Sequence, residues 1–263
     1  MLSGYLVVGA FAGVMSGLFG VGGGVVVIPA LAMFFLYDPM IPDALQMQMA
    51  IGTSLAIMIT TSISALYAHH KRNAVRWNIF LQMLPGLIVG AIVGACVAHF
   101  VSSFFLKIIF SVFLFVIGIR LLFNLGVSES HSSVSLFVVR VASLVIGALS
   151  SLLGVGGGIL IVPFLLHCQL NMREATGTSV ACGLSVGIAA TISFMMTGLF
   201  AMMHVKWSTG YIYWPAFFGI AVASTLFAPV GAALAHKLPI ELLKRIFGFF
   251  LLLMAVDMAF SLI

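Results

Sequence analysis

The chain has 263 residues, of which 63% are hydrophobic and only 6% charged, and its mean hydropathy is +1.28. A soluble domain carries roughly 25% charged residues, so this composition excludes a water-soluble fold and predicts an integral membrane protein. The formal net charge of +5 comes from a few basic residues near the ends of apolar runs, which indicates membrane topology and no nucleic-acid partner.

The apolar runs predict eight helical segments, four on each side of the serine-rich sequence SESHSSVS. Their length indicates α-helices, because the strands of a membrane barrel would alternate polar and apolar residues. The predicted fold class is therefore an all-α membrane protein, with a first unit over residues 1–124, a linker over 125–135 and a second unit over 136–263. In chain order the segments are 5–37, 46–68, 78–100, 104–124, 136–169, 175–200, 209–235 and 240–262.

Both units begin with the same glycine-rich sequence. FGVGGGVVVIPAL at residues 19–31 recurs as LGVGGGILIVPFL at residues 153–165. Gly-Thr-Ser recurs in the next segment, and Arg76-Trp77 after it resembles Lys206-Trp207. Self-similarity over most of a chain predicts two fused copies of one unit. The repeated residues are Gly20, Gly22, Gly23, Gly24, Pro29, Gly52, Thr53 and Ser54 in the first copy, and Gly154, Gly156, Gly157, Gly158, Pro163, Gly177, Thr178 and Ser179 in the second.

The first segment of each copy is too long for one crossing. A helix over residues 5–37 would be roughly 50 Å long, whereas the hydrocarbon core is about 30 Å thick. The segment either spans once as a broken, tilted helix, or enters, turns at the glycines and leaves by the same face. Broken helices in membranes are tolerated where protein or a water-filled cavity satisfies the backbone.

The distribution of basic residues favours the re-entrant alternative. If each copy has a glycine-broken, re-entrant helix pair and three full crossings, the copies are inverted and both termini face outside. Only Lys107 and Lys206 then lie on the outer side, which agrees with the excess of positive charge on cytoplasmic loops. With single spans the two sides would carry nearly equal numbers. The remaining basic residues, all on the inner side, are Lys71, Arg72, Arg76, Arg120, Arg140, Arg173, Lys237, Lys244 and Arg245.

The glycine breaks and the Gly-Thr-Ser sequences are the candidate binding site. Half-helices that begin near Val25 and Ile159 present free backbone amides and a positive dipole end, which suit an anion. The threonine and serine hydroxyls can donate further hydrogen bonds. The alternatives are that the glycines only allow close helix packing and that the hydroxyls bond to their own helices.

Other site chemistries lack the residues that they need. Asp257 is the only acid well inside an apolar segment, and the three cysteines are scattered, so we expect no metal site, no cofactor and no enzyme. GVGGG lacks the Gly-Lys-Ser/Thr of a phosphate-binding loop, which favours a secondary carrier over a pump.

With the glycine, Gly-Thr-Ser and Arg/Lys-Trp sequences all duplicated, the chain resembles the TauE/SafE family of sulfite-exporter-like permeases over nearly its whole length. The resemblance implies transport of a small sulfur-containing anion, such as sulfite, a sulfonate or sulfoacetate, across a prokaryotic plasma membrane. It also implies that the repeated glycines, prolines and Gly-Thr-Ser residues named above are the site. Two alternatives stay open, a passive anion channel on the same scaffold and a membrane subunit without transport activity.

Overall fold

A computed structural model describes residues 2–19, 23–123, 135–156, 158–200, 205–235 and 240–260. Five of the described helices are long and apolar enough to cross a membrane, so the prediction of a helical membrane protein is confirmed. The helices and strands are α1 Leu2–Phe19, α2 Gly24–Leu36, α3 Gln46–Lys71, α4 Trp77–Phe100, α5 Ser103–Leu122, α6 Leu136–Leu152, α7 Gly158–His167, α8 Met172–Phe200, β1 Ser208–Thr209, β2 Ile212–Tyr213, α9 Trp214–Ala235 and α10 Ile240–Phe260.

Polar side chains mark where several helices begin. Ser102 precedes α5 and accepts a hydrogen bond from the Phe105 amide at 3.5 Å. Ser135 precedes α6 in the same way, and Asn171 accepts from the Glu174 amide at the start of α8 at 2.9 Å. Such caps satisfy amides that have no partner within the helix. They place the helix starts at the polar breaks between the apolar runs.

The long first segment consists of two helices, α1 and α2, which run antiparallel. The ring of Tyr5, near the start of α1, lies 5.3 Å from the ring of Phe34, near the end of α2. At the other end, Gly23 lies beside Ala12 and Ser16 of α1. The chain therefore returns to the side of the molecule from which α1 started.

The helices pack in matching pairs. Helix α1 packs on α9 and α6 packs on α4, while α2 packs on α3 and α7 packs on α8. Two further pairs join helices of the same rank in each half, α3 with α8 and α5 with α10. Both of these pairs run antiparallel. Gly52 lies against Phe194 while Gly187 lies against Met58, and Gly118 lies against Gly248 while Ser111 donates to the Ala255 carbonyl.

Glycines bring α4 and α6 into backbone contact. A Cβ atom built on Gly90 would lie 2.1 Å from the carbonyl oxygen of Leu144, and one on Gly94 would lie 2.2 Å from that of Ala148. Gly86, one turn earlier, faces Arg140 in the same manner. Small residues allow this approach between membrane helices, where packing and not hydrophobicity holds helices together.

A β-hairpin separates α8 from α9, whereas a short turn separates α3 from α4. Strands β1 and β2 pair antiparallel, and Gly210 between them has φ +58°, a conformation that glycine tolerates. Trp214 begins α9 as Trp77 begins α4. The match of Trp77 with Trp207, expected from sequence, is therefore wrong, because Trp207 precedes the hairpin and begins no helix.

Candidate functional site

The start of α2 meets the second glycine sequence at the centre of the molecule. A Cβ atom built on Gly24 would lie 2.6 Å from the carbonyl oxygen of Gly154 and 3.4 Å from the Cα of Val155. Ser54 of α3 lies between them and donates a hydrogen bond to the Gly154 carbonyl at 3.1 Å. Ser54 is 1% exposed. We call these four residues, Gly24, Ser54, Gly154 and Val155, the glycine junction.

Left-handed glycines shape the backbone on both sides of the junction. Gly23 has φ +73° and caps α2, and its carbonyl accepts from the amides of Val26 and Val27, each at 3.0 Å. The amides of Gly24 and Val25 therefore precede the first hydrogen bond of the helix. Helix starts of this kind present free donors and a positive dipole end.

Gly154 ends α6 in a Schellman motif. It has φ +60°, its amide donates to the Ser151 carbonyl at 3.2 Å, and the Val155 amide donates to the Ser150 carbonyl at 3.1 Å. The side chains of Ser150 and Ser151 are fully buried, and neither hydroxyl has a hydrogen-bond partner within the described residues. Buried polar groups are normally paired with protein or ordered water, so these two hydroxyls are unused donors beside the junction.

Each residue of the first Gly-Thr-Ser sequence makes a separate contact with the other half of the chain. A Cβ atom on Gly52 would lie 2.9 Å from the Tyr211 carbonyl oxygen. The Thr53 hydroxyl accepts a hydrogen bond from the Tyr213 amide at 3.0 Å. Ser54 points to the junction. Only Ser54 of this sequence therefore reaches the glycine break directly.

The second Gly-Thr-Ser sequence makes a similar set of contacts with the first half. Gly177 lies against the backbone of Ala74, and the Thr178 hydroxyl accepts from the Arg76 amide at 3.0 Å. Arg76 directly precedes α4 as Tyr213 precedes α9, so the two threonines hold corresponding helix starts. Ser179 donates to the Thr176 carbonyl of its own helix at 2.8 Å.

The remaining residues expected at the site are distributed around the two breaks. Gly156 is buried in the connection before α7, and Gly158 and Ile159 begin α7 half-buried. Pro29 lies buried inside α2 and Pro163 half-buried inside α7. Gly20, Gly22 and Gly157 lie outside the described residues.

A buried acid lies near the far end of α2, where sequence reasoning predicted none. Asp38 is 6% exposed, and its carboxylate accepts hydrogen bonds from the Met40 amide at 3.0 Å and from the phenol of Tyr213. Burial first, and then the Asp38 carboxylate, raise the pKa of Tyr213, so the phenol is the donor of this pair at neutral pH. Between two apolar runs Asp38 resembles an ordinary turn residue, and the sequence carries no signal of its burial.

The opposite end of the molecule carries an ion pair in the corresponding place. The Arg76 guanidinium donates to the Glu174 carboxylate with an Nε to Oε1 distance of 2.8 Å, and the Arg76 side chain is 60% exposed. Arg173 beside it donates to the Arg72 carbonyl at 2.8 Å. This end therefore gathers several of the basic residues that the charge distribution placed on the inner side.

The junction and its surroundings offer amide and hydroxyl donors. Within the described ranges no three His, Cys, Asp or Glu side chains are grouped closely enough to hold a metal ion. Preorganised amides and hydroxyls can replace the hydration of an oxyanion without a full counter-charge.

Known proteins resemble the chain over almost its whole length. The profile of the family described as "Sulfite exporter TauE/SafE" matches residues 5–258. A "Probable membrane transporter protein" from Haemophilus influenzae is 32% identical over 254 residues, which cover 96% of each chain. A "Probable membrane transporter protein" from Methanocaldococcus jannaschii is 28% identical over 92% of this chain and 86% of its own length. No solved structure matches. The chain belongs to the sulfite exporter TauE/SafE family of membrane proteins.

Proposed function

We propose that this protein is a secondary transporter that carries a small sulfur-containing anion across the prokaryotic plasma membrane and binds it at the glycine junction. The family and the names of the relatives support a membrane transporter rather than an enzyme. The observation that carries the proposed site is the meeting of Gly24, Ser54 and Gly154 beside the unpaired hydroxyls of Ser150 and Ser151.

The charge of the junction fits a sulfur oxyanion such as sulfite, a sulfonate or sulfoacetate. The start of α2 supplies about half a positive charge, which attracts an anion without holding it too tightly for release. Ser54 donates to the Gly154 carbonyl without substrate, and rotation of its hydroxyl would redirect that hydrogen bond to the anion. At the start of α2 a metal cation would meet amide hydrogens and the positive end of that helix.

We further propose that residues 1–124 and 136–263 are inverted repeats, each with a re-entrant helix pair and three crossings. The antiparallel pairs α3 with α8 and α5 with α10 support this, because equivalent helices of inverted copies run in opposite directions. The return of α2 along α1 supports the re-entrant pair. The basic residues around Arg76 then face the cytoplasm.

Inverted repeats suit alternating access, in which one repeat rocks against the other around a shared site. Thr53 and Thr178 each bond to the backbone of the opposite repeat. Breaking one of these contacts while keeping the other would open the site to one face at a time. Gly-Thr-Ser residues would then serve both binding and closure.

The binding site is tested by changing Ser54→Ala in purified protein. Thermal shift against sulfite, thiosulfate, sulfoacetate, taurine and sulfate identifies the anion bound by the wild type. Loss of one charge-assisted hydrogen bond is expected to weaken its affinity roughly 10- to 100-fold. Ser193→Ala is the matched control, because Ser193 is also buried but bonds to the Ala189 carbonyl of its own helix. Equal affinity in both variants would place the anion elsewhere.

Transport itself is tested in proteoliposomes by counterflow. A carrier takes up labelled anion faster when unlabelled anion is present inside, because its binding site then returns to the outer face with unlabelled anion bound. Saturable, counterflow-stimulated uptake is expected. Uptake that neither saturates nor responds to internal anion would instead indicate a channel. Absence of transport for all five compounds would overturn the proposed function.

A further inference from the structure

Asp38 is a buried acid near the end of α2. Its carboxylate receives hydrogen bonds from the Met40 amide and the Tyr213 phenol, and no Lys, Arg or His forms an ion pair with it within the described ranges. Burying a carboxylate is costly unless it is paired with opposite charge, and two neutral donors compensate only part of that cost. At the other end of the molecule Glu174 is paired with Arg76. The two ends therefore differ, since Glu174 has a fixed counter-charge and Asp38 has none among the residues that the structure describes.

The surroundings of Asp38 contain a second unsatisfied group. The hydroxyl of Tyr5 is buried and has no hydrogen-bond partner within the part of the chain that the structure describes, and it lies close enough to Asp38 and Tyr213 to interact with both electrostatically. Among the described residues, the titratable groups found to act on Asp38 are Tyr5 of α1 and Tyr213 beside α9. Asp43, in the turn before α3, is exposed and accepts a hydrogen bond from Gln46 instead.

We propose that Asp38, with the Tyr5 hydroxyl as a second oxygen ligand, binds one monovalent cation, either a proton or a sodium ion, that is transported together with the anion. This inference rests on the proposed function and names the driving ion for the same transport cycle. A carboxylate and a phenolic oxygen are hard donors that suit both ions. The bound cation would supply the charge that Arg76 supplies for Glu174.

Tyr213 connects this cation site to the anion site. Its phenol donates to Asp38, its ring packs edge-on against Phe35 of α2 at 5.6 Å, and its amide donates to Thr53. Thr53 is the neighbour of Ser54 in the glycine junction. The two sites lie at opposite ends of α2, roughly 20 Å apart, so direct attraction between the two ions is weak. We infer that occupancy of Asp38 acts on the junction through the position of Tyr213.

The test compares Asp38→Asn with Asp43→Asn in proteoliposomes. Radiolabelled thiosulfate and sulfoacetate are suitable probes because both are fully ionised near neutral pH. One arm imposes an inward proton gradient and the other an inward sodium gradient. Wild type and Asp43→Asn are expected to accumulate anion above equilibrium in one of the arms. Asp38→Asn, whose amide is neutral, is expected to lose that accumulation while it retains counterflow.

The outcomes separate this inference from the proposed function. Counterflow by wild type without a response to either gradient overturns the cation site alone, as does an Asp38→Asn variant that accumulates anion like wild type. Absence of counterflow in wild type overturns the proposed function. If Asp38→Asn does not fold, Tyr5→Phe gives the second measurement. It removes only the unpaired hydroxyl and should raise the proton or sodium concentration needed for half-maximal accumulation, and an unchanged concentration overturns the proposal.

Discussion

The hydrogen bond between Thr53 and the Tyr213 amide gives a quantitative test of how the two halves of the chain are joined. Thr53→Val keeps the shape of the side chain but removes the acceptor, and so leaves a buried amide without a partner. An unsatisfied buried donor costs about 1–3 kcal/mol. At about 2–4 °C per kcal/mol for a chain of this size, a loss of 2 kcal/mol lowers the melting temperature by about 4–8 °C.

The corresponding change in the other half should be milder. Thr178→Val removes the acceptor of the Arg76 amide, but this bond is only partly buried and Arg76 is exposed, so water can replace the lost acceptor. We expect a cost of about 0.5–1.5 kcal/mol, the net value of one ordinary hydrogen bond. Thr53→Ser keeps the acceptor oxygen and serves as the control.

Thermal unfolding of the purified variants in detergent, followed by size-exclusion chromatography, measures both effects under the same conditions. We expect the largest loss of melting temperature in Thr53→Val, a smaller one in Thr178→Val and the smallest in Thr53→Ser. A Thr53→Val protein that melts at the same temperature as Thr53→Ser, or a Thr178→Val protein that is the least stable of the three, would contradict this expectation.

Two other changes test the packing and the charged surface. Gly90→Ala places a methyl group 2.1 Å from the Leu144 carbonyl oxygen and must separate α4 from α6, which we expect to cost about 1–3 kcal/mol of stability. Val89→Ile is the control, because it adds a methylene at an exposed, lipid-facing position and should leave the melting temperature unchanged. Glu174→Gln removes an ion pair whose Arg76 side chain is 60% exposed, so the same melting assay should show a loss of less than about 1 kcal/mol, and a larger loss would mean that this pair holds the two halves together.

Composition and hydrophobic runs were enough to predict the helical membrane fold, because lipid leaves a chain few alternatives to the helix. The length of the segment 5–37 also predicts that it is not one straight crossing, since a helix of 33 residues exceeds the thickness of the membrane. The match of Trp77 with Trp207 failed for a physical reason. The β-hairpin before α9 shifts the numbering, so that Thr178 lies 125 residues after Thr53 but Trp214 lies 137 residues after Trp77.

The site was only partly accessible from sequence. The repeated glycine and Gly-Thr-Ser sequences predicted Gly24, Ser54 and Gly154, which the structure brings together. The sequence alone could not distinguish Thr53 from Ser54, because the rotation of α3 decides which of these two adjacent residues faces the glycine break. The burial of Asp38 depends on Tyr213, a residue far along the chain that only tertiary packing brings close.

The glycine contacts between α1 and α9 have a consequence for how the protein is made. Gly9 and Gly13 of α1 lie against the backbone of Ile220 and Ser224, so α1 contacts a helix that is synthesised only after α2 to α8. Until α9 is inserted, α1 lies in the membrane without the helix that its glycines contact. We therefore expect that a chain cut between residues 124 and 136 assembles only when both fragments are synthesised together.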